Sequence, residues 1–185
     1  MRSRASFPGH NAAMDTLTHE IAATAARLVV EEGLDYGSAK RRAQKMLGLP
    51  ARTALPDNEQ LEEQVRAYIG LFHAETQSQE LAALRRLALS WMERLAEFRP
   101  HLCGAVWNGT ATRRSDIHLD LFCDDPKSPE ITLLNLGLRY DTRTHRSWRG
   151  STVDVLSFSA ASPELGEAIG IHLMILDHDD LRGAL

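Results

Sequence analysis

Residues 102–122 read LCGAVWNGTATRRSDIHLDLF. The stretch opens as a strand and bends at Gly104-Ala105 into a short helical turn. It then crosses a polar loop, Gly109-Thr110-Ala111-Thr112-Arg113-Arg114-Ser115, and ends in a second strand, Asp116-Ile117-His118-Leu119-Asp120-Leu121-Phe122. Polar and apolar residues alternate strictly in that second strand. Alternation at period two puts Asp116, His118 and Asp120 on one face and Ile117, Leu119 and Leu121 on the other. Three ionisable groups in a row on one strand face would go unpaired in a plain core, so a site explains them better than packing does.

The same stretch resembles the signature of the DNA polymerase β-type nucleotidyltransferases, especially their minimal bacterial members. That signature runs hydrophobic-Gly-Ser, a few residues, Gly-Thr-Ala, a short loop, then Ser-Asp-hydrophobic-Asp-hydrophobic. Gly104, Gly109, Thr110, Ala111, Ser115, Asp116, Ile117 and Leu119 fall in register without a gap. Two positions depart from it: Ala105 stands where the serine would be, and His118 where the second aspartate would be.

The resemblance implies transfer of a nucleoside monophosphate from a nucleoside triphosphate to an acceptor. Catalysis of that kind rests on positioning and electrostatics. It also implies Mg2+ or Mn2+ held by acids from two strands. Residues i and i+2 share a strand face, so two such side chains reach one metal pair. In this chain Asp116, His118 and Asp154 take those catalytic and metal-holding places, Asp154 being an acid inside the apolar run Val153-Asp154-Val155. Gly104, Ala105, Gly109, Thr110 and Ser115 are then the nucleotide-binding positions, through backbone N–H groups freed at the turn. His118 weakens a magnesium site, because Mg2+ takes hard oxygen ligands. Asp120 lies about 13 Å along the strand from Asp116 and suits a hydrogen bond to His118 better than a shared ion. The alternative is a catalytically degenerate member of the same fold, a nucleotide-binding, regulatory or antitoxin-like module. The acceptor is unspecified, and a nucleic acid or a protein partner fits equally.

The 185 residues suffice for one domain with a helical extension. A formal charge of −4 argues against strong non-specific binding to nucleic acid. The N-terminus has arginines but no apolar core of a secretory signal, and no apolar run approaches the roughly 20 residues of a membrane helix. Cys103 and Cys123 read as free thiols of a cytoplasmic protein. No phosphate-binding loop ending Gly-Lys-Ser/Thr, dinucleotide fingerprint or nucleophile elbow occurs.

Along the chain, 1–13 reads as a loose tail, 14–99 as a helical region and 100–185 as the nucleotidyltransferase-like part. Helices are expected over 14–32, over 36–47 behind an Asp35 cap, from a capping box at Asp57–Gln60, and over 78–98 with the stripe Leu81, Leu84, Ala88, Trp91 and Leu95. Lys40, Arg41, Arg42 and Lys45 read as a solvated basic face, or else one that meets phosphate. Strands are expected over 131–140 and 151–159, paired as a hairpin across an arginine-rich connection. Ser162-Pro163-Glu164 reads as a helix start, 171–176 as a last strand, and Asp177-His178-Asp179-Asp180 as the cap of a final turn. The expected fold class is α+β, a mixed sheet of about five strands with flanking helices, preceded by a helical N-terminal region.

Overall fold

The computed structural model describes residues 9–146 and 150–183. The first eight residues of the expected tail, and Arg149 of the arginine-rich connection, lie outside them. Two compact units result, Met1–Ala74 and Glu75–Leu185. Among the described residues no helix is long and apolar enough to cross a membrane.

The first unit contains α1 (Gly9–Glu32), α2 (Tyr36–Met46) and α3 (Asn58–Phe72). Ile21, Ala25, Leu28 and Val29 recur at helical spacing on α1 and meet Ala39 and Ala43 of α2 and Leu61, Val65 and Ile69 of α3. The caps follow the sequence. Asp35 accepts the Ser38 N–H at 2.9 Å. Asp57 accepts the Gln60 N–H at 2.7 Å while the Gln60 side chain accepts the Asp57 N–H at 3.0 Å. The basic run of α2 is not one solvated face. Lys40 is buried and its Nζ donates to the Pro56 carbonyl at 2.8 Å and to Asn58 Oδ1 at 2.7 Å, which ties α2 to the start of α3. Burial draws its ammonium below the ordinary lysine value. Arg42 pairs with Glu32.

The second unit opens with α4 (Gln77–Arg94) and a 3-10 turn, Ala96–Phe98. There follow β1 (His101–Cys103), α5 (Gly104–Asn108), β2 (Ile117–Cys123), α6 (Ser128–Asn135), β3 (Asp141–Arg146), β4 (Thr152–Ser162), β5 (Glu167–Asp177) and a last 3-10 turn, His178–Gly183. The five strands form one mixed sheet in the order β1-β2-β5-β4-β3, with β2 and β5 parallel and the other neighbours antiparallel. The fold is α+β, as expected. One sheet face is the core: Ile117, Leu119 and Leu121 of β2, Ile171, Leu173 and Ile175 of β5, and Leu156 and Phe158 of β4 pack with Leu84, Ala88 and Trp91 of α4, Leu95 just after it and Leu133 of α6. Trp91 meets Phe158 edge-on at 4.7 Å between centroids. The helical composition of 14–99 therefore runs across the boundary between the two packing units, because α4 shares its core with the sheet.

Three local expectations are corrected. Residues 128–135 form α6, where a strand was expected over 131–140. Leu134, Leu136 and Leu138 do alternate, but the buried residue is Leu133, and Ile131 and Leu134 face solvent. Pro129 sits in the first turn. The end is a Schellman closure, with Gly137 at φ +70°, its N–H donating to the Leu134 carbonyl and the Leu138 N–H to the Leu133 carbonyl. The hairpin partner of β4 is instead β3, within the expected connection. β3 is an edge strand exposed along its whole length, so it has no apolar alternation to reveal it. Finally, Ser162 ends a strand rather than capping a helix: β4 and β5 pair to Ser162–Glu167, and Gly166 at φ +69° closes the turn by donating to the Ser162 carbonyl at 2.9 Å.

Removing the capping carboxylate in Asp57→Ala is expected to lower the stability of the first unit by about 1 kcal/mol. Leu119→Ala, at a fully buried position between α4 and the sheet, is expected to cost the second unit about 2–5 kcal/mol. Urea titrations of the two variants check both values.

A polar sheet face as candidate functional site

The register decides what faces what. Cys103 pairs with His118, His118 with His172, and His172 with Ser157. Paired residues project to the same side, so these four belong to the face turned away from α4. Asp116 lies one residue before β2, level with Gly170 on β5, and on that same face.

Asp116 is held from two directions. Its Oδ1 accepts the Gly170 N–H at 3.2 Å and its Oδ2 lies 3.0 Å from His172 Nε2. The carboxylate rests directly over Gly170, where an added Cβ would stand 2.5 Å from Oδ1. The bare backbone of Gly170 is therefore a condition of the contact. The hydrogen bond from His172 is the main reason Asp116 lies below the usual carboxylate range. Burial opposes the shift, and the charges of His172 and His118 and the Gly170 amide add to it. On its other side His172 Nδ1 lies 2.8 Å from Ser157 Oγ. The rings of His118 and His172 stack at 4.8 Å with 25° between their planes. Gly104, at φ +67°, bends the chain beside His118; a Cβ there would sit 3.6 Å from the imidazole.

Further along the face, Asp120 Oδ1 accepts from the Cys103 thiol at 3.6 Å. Burial, then the Asp120 charge, push that thiol up to about 12, and burial raises Asp120 in turn. Those surroundings favour the protonated thiol of Cys103 over its thiolate. Cys103 and Cys123 are free and half-buried.

The loop between α5 and β2 is fastened by α4. Gln77 Nε2 donates to the carbonyls of Gly109 and Ala111, and Arg85 donates to those of Val106 and Trp107. Gly109 takes φ +80° at the end of α5. Ser115 Oγ accepts the Thr112 N–H at 3.0 Å. Thr110 is buried, and its Oγ1 has no hydrogen-bond partner. Ala105 is half-buried beside the core. Of the arginines, Arg113 is paired with Glu167 and Arg146 donates to the Gly150 carbonyl.

The expected trio of Asp116, His118 and Asp154 does not converge. Val155 pairs with Met174, so Asp154 projects with Leu156 and Phe158 to the core side of the sheet. It also lies five residues further along the strands than Asp116, about 17 Å, and two strands across. Its charge is felt instead by Lys127 at the start of α6, whose ammonium is raised first by the bond to Glu130 and also by Asp154. His172, Gly170 and Ser157 stand where the second contributing strand was sought. Their signal was the alternation itself. In Leu156-Ser157-Phe158-Ser159-Ala160 and Gly170-Ile171-His172-Leu173 the apolar members mark the core side and the others the opposite face.

The groups that meet around Asp116 are one carboxylate and two imidazoles, with Asp120 and Asp141 further off on the same face, and this set does not match the oxygen cage of two magnesium ions. Among the described residues no group of three or more His, Cys, Asp or Glu is arranged to hold a metal ion.

No protein-family model matches the chain, and no curated protein does. Among solved structures, Cid1 in complex with the UTP analogue UMPNPP is similar over 52% of this chain and 30% of that one, with 13% identity and a TM-score of 0.38. A cytoplasmic RNA terminal U-transferase is similar over the same shares at 14% identity and a TM-score of 0.37. The Cid1 poly(U) polymerase bound to MgGTP gives 15% identity, 52% and 32% coverage and a TM-score of 0.35. The chain thus spans less than a third of the length of these structures.

Gly170→Ala is expected to dislodge the carboxylate of Asp116 while changing stability by no more than about 0.5 kcal/mol, since the side chain is half-exposed and free to swing out. A carbon-detected NMR titration should then show Asp116 back in the usual carboxylate range. The wild-type depression also sets a pH dependence. Asp116 binds its proton less readily folded than unfolded, so its contribution is fully present above the unfolded value of about 3.9 and disappears as pH falls through the lower folded value. Compared by urea titration, the stability difference between wild type and Asp116→Asn should shrink below about pH 4.

Proposed function

We propose that the polar face around Asp116 binds a nucleoside triphosphate and serves nucleotidyl transfer. The observation that supports this best is the meeting of Asp116, His118 and His172 beside the Gly104 bend. They lie within the segment whose sequence resembles the nucleotidyltransferase signature, or on the strand paired with it. The imidazole of His118 is suited to phosphate oxygens, and Gly104 leaves the chain beside His118 without a side chain. Asp116 fixes the His172 ring, so part of the arrangement is set before a ligand arrives.

Of the ions the resemblance implies, Mn2+ tolerates imidazole better than Mg2+ does, and both belong in a test. The groups around Asp116 do not match a two-metal site. One observation favours a second reading. With Asp154 on the opposite face, Asp116 is the one carboxylate in contact with the two imidazoles, an arrangement compatible with a nucleotide-binding regulatory or antitoxin-like module.

Thermal denaturation with ATP, GTP, CTP and UTP, each with Mg2+ or Mn2+, tests the proposal. At a hundredfold excess over Kd, a nucleotide that binds only the folded chain stabilises it by ~2.7 kcal/mol. The expected result is a raised midpoint with at least one nucleotide, lost in Asp116→Ala and in His118→Ala. No shift with any nucleotide under either ion would remove the proposal. Binding without pyrophosphate release, with and without candidate acceptors, would favour the regulatory reading.

A further inference from the structure

We propose that Ser157 is itself the acceptor on this face: its Oγ takes a nucleotidyl group from a bound nucleoside triphosphate, with His172 as base and Asp116 as the residue that positions His172. The inference rests on the nucleotide-binding reading above and names its acceptor.

The geometry is a chain of two contacts, Ser157 Oγ to His172 Nδ1 at 2.8 Å and His172 Nε2 to Asp116 Oδ2 at 3.0 Å. An ionised carboxylate can only accept, so His172 Nε2 must carry the proton that bridges to Asp116. In the neutral ring Nδ1 then presents its lone pair, and Ser157 must donate its hydroxyl proton to it. Hydroxyl, imidazole and carboxylate in that order make up an activated oxygen nucleophile, wherever in a sequence the three residues stand. Here the order spans three strands, β4, β5 and the lead into β2. The contact at its far end exists only because Gly170 lacks a Cβ.

The surroundings select phosphorus over carbonyl carbon as the electrophile. Attack on a carbonyl needs hydrogen-bond donors aimed at a single developing oxyanion. Ser157 is placed between two paired strands, opposite Asp141 on β3 and His172 on β5, so its stretch of backbone is committed to the sheet. In nucleotidyl transfer the charge is shared among several phosphate oxygens, which side chains can meet. His118 stacks on His172 at one side of Ser157. At the other, Arg143 pairs with Val155 on the same face, diagonal to Ser157 by roughly 7–8 Å, within an arginine's reach. Asp141, directly opposite Ser157, disfavours bare anions there. It limits the approach to a phosphate whose charge those donors offset.

The step balances without further reactants. Ser157 Oγ forms a bond to the α-phosphorus, the bond from that phosphorus to the α–β bridging oxygen breaks, and pyrophosphate leaves with the electron pair. The hydroxyl proton passes to His172 Nδ1. The product is a phosphodiester between Ser157 and the nucleoside.

The test uses the full chain with each of the four nucleoside triphosphates, with Mg2+, with Mn2+ and with neither. An acid quench is followed by intact mass and peptide mapping, with calorimetric nucleotide binding and pyrophosphate release measured in parallel. The expected result is one added nucleoside monophosphate on Ser157, absent in Ser157→Ala and retained in Ser157→Thr. Its rate should fall about a hundredfold or more in His172→Gln, and Asp116→Asn should shift the pH profile of labelling. Nucleotide binding or pyrophosphate release without an ester on Ser157, or an ester on another residue, overturns the assignment and leaves the nucleotide site standing. Absence of any nucleotide binding overturns both.

Discussion

The second unit is organised at the parallel junction of β2 and β5, where the carboxylate of Asp116 lies across the bare backbone of Gly170. Parallel pairing brings the beginnings of both strands to one edge of the sheet, and so brings together residues 54 positions apart in the chain. A carboxylate at that edge has two donors, a backbone N–H and an imidazole, and both favour its ionised form. Ionised, it accepts only, and this sets the proton on His172, which in turn sets how His172 meets Ser157. Three strands are thereby linked on one face by a single choice of charge state.

The two faces of the sheet divide the labour. On one, Leu119, Leu121, Leu156, Ile171 and Leu173 are fully buried under α4 and α6, and the stability of the unit lies there. On the other, the same strands present Asp116, His118, Asp120, Ser157 and His172, at less than full burial. α4 serves both tasks. Its apolar stripe covers the core, while Gln77 and Arg85 hold the carbonyls of the turn that leads from α5 towards Asp116. These bonds hold the turn from the side of α4, while the Cys103 thiol, next to Gly104, donates to the His118 carbonyl at 3.4 Å.

Much of this was legible in the amino-acid sequence. Period-two alternation in β2 separated Asp116, His118 and Asp120 from the core, and caps at Asp35 and Asp57 marked two helix starts. The Gly104 turn and its following loop were read from the same stretch. The rest is hidden in the sequence for physical reasons. Asp154 stands out as an acid inside an apolar strand, yet the alternation of Leu156, Phe158 and Ala160 puts it on the core side. The edge strand β3 buries nothing, so no hydrophobic pattern distinguished it from a loop. α6 is barely two turns long, and over eight residues a run of leucines fits either period. His172 carries no local signal, because its partner, Asp116, is distant in the chain and only strand order brings the two together. Burial of Lys40 was equally invisible, since its partners are a loop carbonyl and an asparagine.

The tautomer of His172 tests this account most directly. Nitrogen-15 NMR of the side chain, above the pH at which the ring is neutral, distinguishes a proton on Nε2 from one on Nδ1. The account predicts a single Nε2–H form in the wild type, with that preference weakened in Asp116→Ala. A ring protonated on Nδ1, or a tautomer balance that Asp116→Ala leaves unchanged, would contradict it.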